Sequence, residues 1–176
     1  MDSEQLYSFL YNLFRGHHCY FDVIPADALD SVPLKKFPIY LIINNETSEY
    51  EGEHWVALYI RSRKEQLHFF CSYGLGLNFY NEYFHRIAKR IGKPIIENKK
   101  PLQSVGSDVC GHYAVYFLYK KYLGCCKMSI YCNFSANNAM NDRLVKNFVS
   151  NKNCLFHKKC KFRNKVVQCC KKYKCE

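Results

Sequence analysis

The chain has 176 residues, 48% of them apolar and 16% aromatic, enough for one domain with a substantial core and too few for two. It contains no run of about 18 apolar residues, and its opening stretch, MDSEQLYSFLYNLFRG, is acidic and amphipathic where a secretory signal is basic and then uniformly apolar. These features argue against membrane-spanning and secreted classes and set the expectation of a soluble, intracellular protein. The net charge of +11 sits mostly at one end, because residues 152–176 carry nine Lys or Arg against the single acid Glu176.

In chain order, Leu6, Phe9, Leu10, Leu13 and Phe14 fall at the i, i+3, i+4, i+7, i+8 spacing of an amphipathic helix that ends near Gly16. IPADALDSV suits a short helical turn with Pro25 near its start. FPIYLIINN (37–45), HWVALYIRS (54–62) and QLHFFCSY (66–73) read as three successive strands, the last two joined by a tight turn at Arg63, Lys64 and Glu65. NFYNEYFHRIAKRIG (78–92) has the helical period, with Phe79, Tyr83, Ile87 and Ile91 on one side and Gly92 as its stop before Pro94. KPIIEN is a short extended segment. CGHYAVYFLYKKYLG (110–124) is a helix apolar almost all round and so belongs in the core. A further helix runs from about Ser135 to Val149. The fold class is α+β, with helices packed on a small, mostly antiparallel sheet. Residues 1–151 form the domain, and 152–176 form a basic, cysteine-rich tail.

The eleven cysteines are odd in number and follow no signal peptide, so reduced thiols are the expectation. Five of them lie in the tail with His157, at spacings that match no familiar zinc pattern, and no metal is assigned. The tail's charge suits a polyanion, most plausibly nucleic acid, and equally a solvated terminus.

Chemistry gathers in two places. In PLQSVGSDVCGHYAVYFLY, Cys110 lies where a Ser- and Gly-containing loop becomes a buried helix, so the helix N-terminus and its free N–H groups favour thiolate over thiol. Gly111 removes a side chain where a substrate carbonyl would approach those donors. Gln103, seven residues before Cys110, can add an amide donor to the same place. The second place is GEHWVALYI, where His54 precedes an apolar strand. Singly, Cys110 reads as a small core residue, Gln103 as a loop residue and His54 as a rim histidine. Together they supply what a thiol nucleophile needs, an imidazole base and a preorganised oxyanion site.

GEHWVALYI, LHFFCSYG and LQSVGSDVCGHYAVYFL resemble, in that order, the adenovirus-type (adenain-like) cysteine proteases, distantly similar to the ubiquitin-like-protein proteases. The resemblance covers roughly residues 20–123, and the segment ahead of His54 is similar to such proteases of viruses and virus-like mobile elements. It implies an acyl-transfer mechanism with Cys110 as nucleophile, His54 as base and acid, and Gln103 with the Cys110 N–H as oxyanion donors. Trp55 walls the cleft, and His112 and Tyr113 pack. The implied substrates are viral precursor proteins cut next to small residues, in the host nucleus or virion. No cofactor is required. Adenoviral relatives imply activation by DNA or a basic peptide, for which the tail would be the DNA contact.

One position departs from the family. Seventeen residues after His54, where the family has an acid, stands Cys71. A neutral thiol fixes the imidazole tautomer poorly compared with a carboxylate. Ser72 should face the other way along the strand, whereas Glu51 or Glu53 could fold back as a substitute. Either the Cys110–His54 pair still works, helix field and imidazole together generating an ion pair, or the chain is an impaired relative that binds nucleic acid or a partner. Retained chemistry is favoured, because nucleophile, base, glutamine and Cys-Gly turn are all present. A ubiquitin-like-protein-specific protease would use the same residues.

Overall fold

The computed structural model describes residues 1–151. The expectations for the tail, nucleic-acid contact and unassigned cysteines among them, lie outside the described residues.

Helix α1 (Ser3–Phe14) starts where the Asp2 carboxylate accepts the Gln5 N–H at 2.8 Å, a capping bond that satisfies one orphan donor of the first turn. It buries the stripe expected of it, Leu6, Phe9, Leu10, Leu13 and Phe14. Strands β1 (Tyr20–Ile24), β2 (Ile39–Asn44), β3 (Trp55–Ile60), β4 (Leu67–Phe70) and β5 (Ile95–Glu97) form one sheet in the order 1-2-3-4-5. A 3₁₀ turn (Ala26–Ser31) follows Pro25 between β1 and β2. Helix α2 (Glu82–Ile91) precedes β5, and helices α3 (Cys110–Tyr122), α4 (Lys127–Tyr131) and α5 (Asn138–Ser150) complete the domain.

The sheet is mixed, not mostly antiparallel. β2–β3 and β3–β4 pair antiparallel, whereas β1–β2 and β4–β5 pair parallel. A helix between β4 and β5 carries the chain back to the end at which β4 began, so β5 must run the same way. β1 was not anticipated: its five residues are all only partly buried, so no alternation marks it.

The central strands are covered on both faces. Tyr40, Ile42, Ala57 and Tyr59 point into a core with α1, α3 and α5, while Ile39, Leu41, Ile43, Val56, Leu58 and Ile60 point into a second core with α2. Burial on both faces is why β2 and β3 read as continuous apolar runs.

The helix expected over 78–92 is broken. Leu77–Phe79 form one 3₁₀ turn, Tyr80 is extended (φ −93°, ψ 171°), and Asn81 caps α2 by accepting the Tyr83 N–H at 3.3 Å. Phe79, expected on the buried face, is 71% exposed as a result. Gly92 ends α2 in the left-handed region (φ 61°) as its position suggested. Cys19, Cys71 and Cys110 are free thiols, but Cys125 and Cys126 are disulfide-bonded, which corrects the all-reduced expectation. Among the described residues no helix is long and apolar enough to cross a membrane.

Candidate active site

His54 is set by its backbone. Its N–H donates to Asn45 Oδ1 at 2.7 Å and its carbonyl accepts the Asn45 N–H at 3.0 Å, so the residue leads into β3 with fixed geometry. Asn45 is itself held, its carbonyl accepting from Asn81 Nδ2 at 2.9 Å. The imidazole stacks on Tyr73 with ring centroids 4.8 Å apart, and its Nε2 lies 3.5 Å from Cys71 Sγ. Burial pushes the His54 pKa down to about 4, because a charged imidazolium loses hydration there without gaining a carboxylate.

Cys71, seventeen residues after His54 in sequence, is therefore the side chain that faces its Nε2 in the fold. It is completely buried. Its backbone is clamped by the Asn98 side chain, whose Oδ1 accepts the Cys71 N–H at 3.0 Å and whose Nδ2 donates to the Cys71 carbonyl. An amide side chain thus completes the hydrogen bonding where strand pairing stops. Glu51 and Glu53 are exposed, and the His54 Nε2 contact is to Cys71, so neither acid replaces the missing carboxylate.

Cys110 is the first residue of α3. Burial raises its pKa, opposed by backbone hydrogen bonds from Trp55 and Gly111 to the thiol. The Trp55 backbone lies near the thiol, so the nucleophile candidate stands beside the residue directly after His54, though His54 is 56 residues away in sequence. The expectation of a helix-stabilised thiolate is corrected: helix field and N–H donors act in the right direction, but desolvation outweighs them. Burial thus favours the neutral forms of both the Cys110 thiol and the His54 imidazole. Gly111 is also reassigned. A Cβ there would stand 3.2 Å from Leu6 Cδ2, 3.4 Å from Met1 Cβ and 3.4 Å from Trp55 Cδ1, so the glycine lets α1 and the Trp55 ring close on α3 and does not open a path for substrate. Trp55 is anchored by its indole N–H, which donates to the Met1 carbonyl at 3.1 Å.

Gln103 is buried, and its amide is fully engaged. Oε1 accepts from Ser72 Oγ at 2.6 Å, and Nε2 donates to the Ser107 carbonyl at 2.5 Å and to Tyr73 Oη at 3.2 Å. Ser72 thus faces away from His54, as strand alternation requires, and its work is to aim the glutamine. The loop around Gln103 is fastened by α5: Asn138 Nδ2 donates to the Gln103 carbonyl at 3.1 Å and Asn141 Nδ2 to the Leu102 carbonyl at 3.2 Å. Tyr113 Oη lies 2.7 Å from the same Leu102 carbonyl and 2.9 Å from the Asp142 carboxylate. Tyr113, expected only to pack, thereby ties α3 to this loop.

Asn98, Tyr73 and the Asn138–Asp142 cluster were not singled out from the sequence. Only the density of amides in SANNAMND hints at the last, since asparagines beside a helix start usually cap it. Among the described residues no group of three His, Cys, Asp or Glu side chains is placed to hold a metal ion. No protein-family model matches the chain, and no curated protein shows significant similarity to it.

Proposed function

We propose that the chain is a cysteine endopeptidase of the adenain-like type that acts on precursor proteins of a virus or virus-like element. The observation that carries this reading is the placement of the Cys110 thiol at the start of α3 beside the backbone of Trp55, the residue that follows His54, with His54 Nε2 held 3.5 Å from Cys71 Sγ. With Nε2 turned to Cys71, the other ring nitrogen, Nδ1, is the one left to act as base. His54 takes the Cys110 proton as the sulfur attacks a peptide carbonyl, and then gives that proton to the leaving amine. Water releases the acyl group. Because burial favours both neutral forms, the proton moves during attack and not before it. The Cys110 N–H and the Gln103 amide receive the oxyanion. DNA or a basic peptide as activator, with the tail as the DNA contact, belongs to the same proposal.

The second reading is a protein that keeps the cleft without turnover and binds a partner or nucleic acid. One observation favours it: both Gln103 amide hydrogens are spent on Ser107 and Tyr73, so an oxyanion has to displace the Ser107 carbonyl before it gains that donor.

Incubating the full chain and its Cys110→Ala variant with a peptide library, and mapping products by mass spectrometry, separates the readings. The protease reading expects new termini that vanish in the variant. Termini confined to a Gly-Gly C-terminus would move the assignment to the ubiquitin-like-protein proteases. Identical patterns from the two chains would end the reading.

A further inference from the structure

Between the segment after the 3₁₀ turn, the last residue of β3 and the C-terminal end of α2 lies an open groove of about 450 Å³, within the size range of sites that enclose a ligand. Its floor is apolar: Val32 and Ile60 are buried, and Leu34, Phe37 and Ile91 are half-buried. Its charged lining is basic only, since Lys35, Arg63 and Arg90 are exposed and no Asp or Glu lines the groove. The acids two residues along the chain from this lining are paired elsewhere, Asp30 with Arg86 at 2.7 Å and Glu65 with Arg61 at 3.7 Å. Among the described residues neither Lys35 nor Arg63 has an ion-pair partner. One wall is set before any ligand arrives. Arg90 Nη1 donates to the Leu29 carbonyl at 2.9 Å and Nη2 to the Val32 carbonyl at 3.0 Å, while Arg86 grips the Asp30 carboxylate through Nε at 3.0 Å and Nη2 at 2.7 Å. Two arginines of α2 thus fasten the 3₁₀ turn to the helix, and a groove held in this way loses little freedom on binding.

We propose that this groove docks an acidic segment of a partner protein that carries one bulky apolar side chain. The apolar floor gains from covering such a side chain, and the three cations at its rim attract Asp or Glu on either side of it. Charge also selects among the possible occupants. The chain's own residues 152–176 carry nine Lys or Arg against one acid, and a second copy brings a net charge of +11, so both are repelled. Nucleic acid matches the charge but not the floor, which offers four aliphatic residues and a single aromatic ring, Phe37, on which bases could stack. The groove is also separate from the candidate active site. Ile60 ends β3 and His54 precedes its start, about 20 Å away at about 3.3 Å per residue. The docking surface therefore goes beyond the protease reading and does not depend on it.

The test is selection of a random peptide library on the full chain, followed by fluorescence-anisotropy titration of the enriched peptides. The expected peptides carry Asp or Glu on both sides of one Leu, Phe or similar residue. Replacing that residue by Ala should weaken binding about 10- to 100-fold. Reversing the two exposed rim charges together, Lys35→Glu with Arg63→Glu, should weaken it about tenfold at an unchanged thermal midpoint. The same reversal at Arg15 and Arg143, which are exposed and outside the groove, should change it by less than about twofold. Equal losses from the two pairs of reversals would mean attraction to the chain's overall charge and overturn the proposal. An empty selection overturns it as well, as do enriched peptides that are basic or lack an apolar residue. A single-stranded DNA that displaces the peptides and is weakened by Lys35→Glu with Arg63→Glu alone would overturn it in favour of a nucleic-acid site.

Discussion

Ser72 Oγ donates to Gln103 Oε1 at 2.6 Å, and the Ser72 carbonyl accepts the N–H groups of both Leu102, at 2.8 Å, and Gln103, at 3.1 Å. The residue after Cys71 and the loop that carries Gln103 are thereby one rigid piece. The turn that makes this possible is at Gly74, where φ is +73° and a Cβ would stand 2.7 Å from the Lys100 carbonyl carbon and 2.8 Å from Pro101 N. Cys71, the partner of the imidazole, and Gln103 are coupled through that single close approach.

Gly74→Ala should therefore cost more than its left-handed backbone alone, about 1 kcal/mol, because backbone atoms on both sides have to separate. A loss of about 2–4 kcal/mol is expected on adding the steric clash, measured as a lower urea midpoint. Ser72→Ala removes one buried partner of Gln103 and should cost about 1–2 kcal/mol. Under the protease reading its fall in kcat should exceed its change in KM, since that reading has the glutamine serve the transition state. A parallel rise in KM with kcat unchanged would mean that Gln103 binds ground-state substrate instead.

Acid should destabilise the fold before it reaches the carboxylate range. The pKa of His54 is pushed down to about 4 by burial, and that of His68 to about 4 by burial together with the nearby Lys121 and Lys127. Both titrate near 6.5 when unfolded. Between those values the unfolded chain binds more protons than the folded one, so the stability these neutral histidines contribute is complete above pH 6.5 and is lost as pH falls toward 4. Each accounts for up to about 3 kcal/mol. His68→Gln should flatten the fall in urea midpoint between pH 6.5 and 4, and a slope identical to the parent's would show that His68 is charged in the native state. Under the protease reading the acid limb of activity follows His54 and should lie near pH 4.

Sequence pattern carried the parts of the fold in which period and chemistry agree. The α1 stripe, the turn between β3 and β4 and the glycine stop at Gly92 follow from local rules, and all three stand as read. Parallel pairing did not follow, because β1 lacks alternation and the direction of β5 depends on the path of α2. In the site, His54 and Cys71 are brought together, and Cys110 is brought to the Trp55 peptide. What could not be read was the protonation state. Helix field and hydrogen bonds are local to Cys110, but the desolvation that outweighs them exists only once the folded chain has buried the thiol. The Tyr80 break was equally hidden, since NFYNEYF keeps a helical period even though Asn81 caps a later start.

Under the protease reading, Cys71→Asp supplies the missing carboxylate and should raise activity. A carboxylate 3–4 Å from Nε2 stabilises the imidazolium that forms when His54 takes the thiol proton, which a neutral sulfur does weakly. The backbone clamp from Asn98 does not depend on the side chain at this position, so the new carboxylate inherits the placement of the sulfur. Two signatures are expected together: kcat/KM rises by about 10- to 100-fold, within the range an orienting acid contributes, and the acid limb of the pH–rate profile moves up from about 4 toward the ordinary histidine value. The second is the more discriminating. A buried carboxylate that found another partner could leave the rate unchanged, but only one facing Nε2 can lift the histidine's pKa. If the limb stays near 4 while the chain remains folded, Cys71 is not the residue that orients His54, and the resemblance to the adenain-like proteases loses its third position.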